Sequence, residues 1–279
     1  MATTEQTKVC YRHPGRETLV SCSNCDRPIC TDCMVQTAVG IKCPECAGQP
    51  VGVAKAAHRA RRAAGEGTGA VVTKALIALN AGIFVLQLVT PDLIARGAVS
   101  APDLANGEWW RLVTSGFLHS ETRLYHILFN LFALWWFGGA LEALLGRARF
   151  LVVYGLSLLG GAAGAVLLTP DARTVGASGA VFGILGAGLV LERRGINVFG
   201  GMALFVLLVN AALPLIVPNI SLGGHLGGLV TGILVILAFM HFRRDHPAYS
   251  KIDAVTLVTL VAIGVGSILL AYIRVRGYA

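Results

Sequence analysis

Apolar and polar positions are distributed unevenly along the chain. Residues 1–70 are mixed and largely polar. Seven apolar segments follow, near 72–91, 122–144, 149–169, 177–192, 198–217, 223–242 and 254–273. Most approach the roughly 20 residues a helix needs to cross the hydrocarbon of a bilayer; the fourth is the shortest. Basic residues cluster after the second segment (Arg147, Arg149), the fourth (Arg193, Arg194) and the sixth (Arg243, Arg244, Lys251). More precede the first (Lys55, Arg59, Arg61, Arg62). The other loops are poorer in Lys and Arg and carry Asp92, Asp103, Glu108, Glu121 and Asp171. This asymmetry predicts spans of alternating direction with the N-terminus in the cytoplasm. Arg274 and Arg276, beyond the seventh segment, run against it.

Composition agrees with that reading. Of 279 residues, 55% are hydrophobic and 14% charged, and the mean hydropathy is +0.68. These values exclude an ordinary soluble domain and fit an all-α polytopic membrane protein. The net charge of +8 belongs to the loop clusters, so no nucleic-acid partner is expected. "MATTEQTKV" is polar and is not a cleavable signal peptide.

All seven cysteines lie between Cys10 and Cys46. With His13 they form four pairs at x2 spacing: Cys10/His13, Cys22/Cys25, Cys30/Cys33 and Cys43/Cys46. Eight soft ligands suffice for two tetrahedral zinc ions, whereas an odd cysteine count defeats a pure disulfide scheme. So short a module buries little core, and each metal would supply on the order of 10 kcal/mol of folding energy. The pattern resembles a B-box-type zinc finger. That resemblance implies interleaved ligation, Cys10, His13, Cys30 and Cys33 at one ion and Cys22, Cys25, Cys43 and Cys46 at the other. Spacing alone fits sequential pairing equally well. A reducing cytoplasm suits thiolate ligation.

Three segments that run in the same direction each carry polar residues near their outer ends. The second has His126 and Asn130, one turn apart on one helix face. The fourth opens with Ser178 among glycines, and the sixth has His225 followed by Gly228 and Gly232. Counted at 1.5 Å per residue from the inner arginines, Ser178, Asn130 and His225 stand about 22–27 Å up, and His126 about 31 Å. They therefore share a level in the outer part of a hydrocarbon layer about 30 Å thick. Histidines inside a membrane are costly and are functional candidates by default. Gly179, Gly183, Gly224, Gly228 and Gly232 permit the close backbone approach that would bring Ser178 to His225. Such a pair has a chemistry: imidazole takes the hydroxyl proton and makes serine a nucleophile. His126, the Asn130 amide and the Ser178 backbone N–H would donate to the developing oxyanion. No acidic third member is visible, so the pair is a dyad.

These residues closely resemble the rhomboid family of intramembrane serine proteases. "GASG" around Ser178, "HILFN", "GGHLGGLVTG", "WWR" in the first long loop and "GGALEALLG" around Glu142 carry the resemblance, in the family's order. It implies Ser178 as nucleophile, His225 as base, and His126, Asn130 and the Ser178 amide as oxyanion hole. Arg111 and Glu142 are structural in that family. Phe182 stands where relatives often carry tyrosine; a ring can still stack on His225, without the hydroxyl. The implied organisation is a zinc-binding module at 1–47, a basic linker at 48–70 and a six-helix protease core at 71–245. An additional transmembrane helix at 246–279 lies outside that core.

The function expected is endoproteolysis of single-pass transmembrane substrates in a lipid bilayer, with no metal in catalysis and structural zinc in the N-terminal module. The zinc module is expected to contact a protein partner. A bacterial plasma membrane is the expected location. The alternative is a catalytically silent relative that binds membrane clients, but such relatives usually lack the serine or histidine retained here. A transporter is disfavoured because the chain shows no inverted repeat.

Overall fold

The computed structural model describes residues 8–37, 40–47, 70–216, 220–241 and 253–278. The expected basic linker falls outside these residues apart from residue 70, as do Arg243, Arg244 and Lys251.

The N-terminal module consists of two antiparallel hairpins, β1 (Lys8–Cys10) with β2 (His13–Thr18) and β3 (Val35–Thr37) with β4 (Gly40–Lys42). Among the described residues the strands lie in this module, and apart from one β-bridge between Val99 and Thr174 the regular structure elsewhere is helical. A register irregularity between Val9 and Cys10 helps turn Cys10 inward. Wholly buried Ile29 packs among the cysteines.

The helical part begins with α1 (Val71–Val89). Three short helices follow in the long loop: α2 (Leu93–Gly97), α3 (Ala101–Ala105) and α4 (Arg111–Thr114). Then come α5 (Leu124–Leu145), α6 (Arg147–Leu168), α7 (Ser178–Arg193), α8 (Ala203–Ile216), α9 (Leu222–His241) and α10 (Ala254–Val275). α1, α5, α6, α9 and α10 are long and apolar enough to cross a membrane. α7 and α8 have 16 and 14 residues. The seven apolar segments of the sequence thus all become helices. The exposed faces of α1, α5, α8 and α10 remain apolar, with Leu88, Phe129, Phe205 and Val258 among the outward residues. Such faces suit lipid as the solvent.

Two glutamates anchor helix starts. Glu142 of α5 is buried and accepts from the N–H groups of Val72 (3.0 Å) and Thr73 (2.7 Å) and from Thr73 Oγ1 (2.8 Å). It satisfies donors that α1 cannot satisfy internally, and its charge complements the helix dipole. Glu192 of α7 does the same for α8, accepting from the N–H groups of Phe199, Gly201 and Ala203. α5 contains one π turn, Leu134–Gly138. Asn130 and Glu142 would stand about 120° apart around a straight α-helix. The residue absorbed by the wide turn brings them to within about 20°, and both are buried.

Replacing Glu142 by Gln keeps the shape but turns one accepting oxygen into a donor, so either the Val72 N–H or the Thr73 N–H and hydroxyl lose their acceptor. The expected loss is about 1–3 kcal/mol, read as a lowered melting temperature in detergent micelles. An unchanged melting temperature would contradict the anchoring role.

Candidate active site

Backbone contact among α6, α7 and α9 places the candidate residues. A Cβ added at Gly161 would lie 3.0 Å from the Gly179 Cα and 3.1 Å from the Gly224 carbonyl oxygen. One added at Gly179 would lie 3.1 Å from the Gly161 Cα and 3.2 Å from that same oxygen. Further down, Gly228 packs on Gly179 and Gly232 on Gly183. The close approach anticipated for α7 and α9 is present, and α6 joins it through Gly160, Gly161 and Gly164. Those three glycines were not singled out in the sequence, where they read as ordinary small residues of an apolar run.

Ser178 is the first residue of α7, and Ala177 precedes it without a side-chain cap. Gly176 has φ +129°, a conformation that side chains rarely adopt. A Cβ there would meet His126 Nε2 at 2.7 Å, while Ser178 Oγ lies 3.8 Å from the same point. The ring of His126 and the hydroxyl of Ser178 therefore converge on the Gly176 backbone. His126 Nδ1 accepts from the Ser120 N–H (3.3 Å), so the proton of the neutral ring sits on Nε2, the nitrogen directed at Gly176. Asn130 is buried, and its Nδ2 donates to the His126 carbonyl (2.8 Å). One amide hydrogen of Asn130 is thus spent within its helix and the second is left for another acceptor.

His225 is buried on α9, one residue from the Gly224–Gly179 contact. Its ring stacks on Phe182, with centroids 4.0 Å apart and planes at 17°. Phe182 does hold the imidazole by its face. His225 Nδ1 is buried and bonds to no protein group among the described residues, so no carboxylate completes a triad there. No direct hydrogen bond joins Ser178 to His225; catalytic bonds in resting sites commonly tighten only with substrate. A cavity of about 20 Å³ beside Ser178 is lined by Gly161, Gly176, Gly179, Ser221 and Gly224, among others. That is room for about one water molecule.

The long loop holds this arrangement from outside. Val99 and Thr174 exchange backbone bonds (3.0 and 2.9 Å), the Ala101 N–H donates to the Pro170 carbonyl (2.7 Å), and the Gly176 N–H donates to the Ser115 carbonyl (2.9 Å). Arg111 is buried and donates to the carbonyls of Ala95 (2.6 Å) and Ala98 (2.8 Å). It also pairs with Glu108 and Asp103. Arg173, just before the Ser178 turn, reaches Asp103 at 3.4 Å. His119 and Gln87 went unnoticed in the sequence. Gln87 of α1 donates to the His119 carbonyl (2.8 Å) and accepts from its N–H (3.0 Å), and the His119 ring lies 5.1 Å from that of His126. A glutamine near the C-terminal end of an apolar span was the available signal.

In the N-terminal module the eight predicted ligands form two groups, Cys10, His13, Cys30, Cys33 and Cys22, Cys25, Cys43, Cys46, each with ligand atoms within 4.8 Å of one another. This is the interleaved arrangement. His13 Nδ1 lies 3.7, 3.3 and 3.5 Å from the sulfurs of Cys10, Cys30 and Cys33. Cys25 and Cys43 sulfurs are 3.6 Å apart. Bonds of about 2.0–2.3 Å to a central tetrahedral ion separate ligand atoms by roughly 3.4–3.8 Å. The donor set fits such an ion, and the sulfurs are much too far apart for disulfides.

The family described as Rhomboid domain matches residues 106–244. The chain is 34% identical over 175 residues to Rhomboid protease GluP of Bacillus subtilis, covering 61% of this chain and 34% of GluP. It is 38% identical over 151 residues to YdcA of the same organism, covering 52% of this chain and 74% of YdcA. Against Rhomboid protease GlpG of Yersinia pestis it is 30% identical over 182 residues, covering 62% of this chain and 64% of GlpG. The chain thus spans about a third of GluP and just under two thirds of GlpG. With Ser178, His126 and the Phe182–His225 stack arranged on three packed helices, this likeness means that the chain belongs to the rhomboid family and is an integral membrane protein.

Proposed function

We propose that the chain is an intramembrane serine endopeptidase that cleaves single-pass transmembrane substrates with a Ser178–His225 dyad. The observation that carries this reading is the convergence of the Ser178 hydroxyl and the Nε2–H edge of His126 on Gly176, beside the stacked His225. The names of GluP and GlpG as proteases support it.

In this mechanism Ser178 Oγ adds to the scissile carbonyl carbon while His225 takes its proton. The tetrahedral oxyanion sits against His126 Nε2–H, the second amide hydrogen of Asn130 and the Ser178 N–H, free at the start of α7. The C–N bond then breaks, and His225 returns the proton to the departing amine. Water enters by the same base and releases the acyl group from Ser178. The buried, low-dielectric setting strengthens each donor, because water does not compete for them. The substrate must unwind locally to present a peptide bond, since helical carbonyls are already bonded.

The division into a zinc module (1–47), linker (48–70), protease core (71–245) and extra helix (246–279) belongs to the same proposal. So do a bacterial plasma membrane with the N-terminus in the cytoplasm, and structural zinc at both clusters. Zinc would fix the module's fold and take no part in proteolysis. Its surface is then free for a protein partner.

Ser178→Ala and His225→Ala are each expected to abolish cleavage of a transmembrane reporter in reconstituted vesicles while leaving the far-UV spectrum unchanged. Residual cleavage at the wild-type rate in either variant sinks the dyad. Asn130→Ala is expected to lower kcat by about 100-fold, the loss typical of one oxyanion donor; an unaltered kcat removes it from that role. Elemental analysis of the purified chain should give two zinc ions per molecule. A strong chelator should unfold the module and leave reporter cleavage intact. Loss of cleavage in step with zinc release would make the metal part of the catalytic apparatus.

A further inference from the structure

The seventh membrane helix buries one face along its length, through Thr256, Leu260, Gly264 and Ser267, and meets the long loop near its C-terminal end. There Ala271 and Val275 are buried in a cluster with Val99, Leu104, Leu112 and Ala162, and the rings of Trp109 and Tyr272 are 6.2 Å apart. Beside this seam α6, α9 and α10 leave between them a cleft of about 600 Å³. Glycine and aliphatic side chains line the cleft apart from three hydroxyls. Each of these donates within its own helix: Thr231 to Gly227 (2.8 Å), Thr259 to Val255 (2.9 Å) and Ser267 to Ile263 (3.0 Å). Water held in the cleft would need two to four polar partners, and these walls offer few. The cleft demands an apolar occupant.

Its upper end is different. Thr259, Ile263, Gly266 and Leu270 line it from one face of α10, and the next residue on that face is Arg274. The Arg274 guanidinium lies over the Tyr278 ring, 5.3 Å from its centroid, and the Tyr278 hydroxyl faces Asp171. The guanidinium also bonds the Tyr278 hydroxyl, and its remaining N–H groups can meet a further acceptor. Trp109 and Tyr272 mark the same level as interfacial. A cation thus stands at the head of an apolar slot, at headgroup height on the Ser178 side of the molecule. This gives a physical reason for an arginine that the charge pattern of the loops leaves unexplained.

We propose that the cleft between α6, α9 and α10 binds one phospholipid, with an acyl chain in the slot and the phosphate on Arg274. The site is separate from the serine chemistry and does not depend on it.

The test is native mass spectrometry of the full chain, released from mild detergent after titration with phosphatidylglycerol. Wild type is expected to retain one lipid more tightly than any other. Gly266→Leu fills the slot without displacing anything, since a Cβ there meets nothing within 4 Å; it should lose that lipid. Arg274→Gln should weaken retention about tenfold, the loss of one charge-assisted hydrogen bond. Ser178→Ala should retain the lipid as wild type does. Bare wild-type protein, or equal retention by wild type and Gly266→Leu, overturns the proposal. So does a dimer that Gly266→Leu disperses, because a second copy would then fill the slot.

Discussion

Everything at the candidate site depends on helix backbones touching where side chains would ordinarily hold them apart. In lipid there is no hydrophobic gain from pressing two apolar helices together, so close packing and the dispersion contacts it brings must hold them. Glycines make that possible on α6, α7 and α9. Gly179 is the centre of it, in contact with Gly161 on one side and with Gly224 and Gly228 on the other. Ser178 and His225 are the immediate chain neighbours of this contact. A methyl group at Gly179 would meet a backbone Cα at 3.1 Å and a carbonyl oxygen at 3.2 Å. Neither can rotate away, so the helices would separate and carry the hydroxyl and the imidazole apart. Stability and chemistry rest on the same missing side chains.

A second constraint comes from the loop. Gly176 takes a left-handed conformation next to His126, a local cost that persists only where its surroundings fix it. The bond to Ser115, the Val99–Thr174 bridge and the Asp103–Arg173 pair do so. Arg111 keeps the loop itself rigid by bonding the carbonyls of two successive turns. The aromatic and charged residues of "GEWWR" thus have distinct tasks. Trp110 is exposed, Trp109 packs on α10, and Arg111 is interior.

The helices were legible because each is an uninterrupted apolar run bounded by arginine, glycine or acidic residues. The candidate catalytic residues stood out because Ser178, His126 and His225 are costly in such runs. The eight candidate metal ligands stood out by chemistry, while their interleaving needed three dimensions: sequence spacing cannot say which pair crosses to which. What escaped were positions whose meaning lies in a partner. Gln87 and His119 are 32 residues apart and meet only because the loop folds back on α1. Glu192 reads as the charged end of a helix, yet it holds the start of the next one. The π turn left no mark in "LWWFG", since one extra residue in an apolar run changes no pattern of polarity.

The extra helix ties these strands together. The long loop that bonds the Gly176 turn is braced by α10 through Ala271, Tyr272 and Val275. Lower down α10 packs on α6, with Leu260 in the main core and Gly264 against Leu156. Beside that seam the cleft borders α9 at Gly223, Leu226 and Gly227, on either side of His225 in the chain. Whatever fills the cleft therefore presses on the helix that carries the proposed base. An empty slot would leave α9 without a packed neighbour on that flank, held by its glycine contacts to α6 and α7 and by Val235, Ile236 and Phe239 in the core. A filled one adds a neighbour there, so under the lipid proposal the membrane contributes to the scaffold around His225.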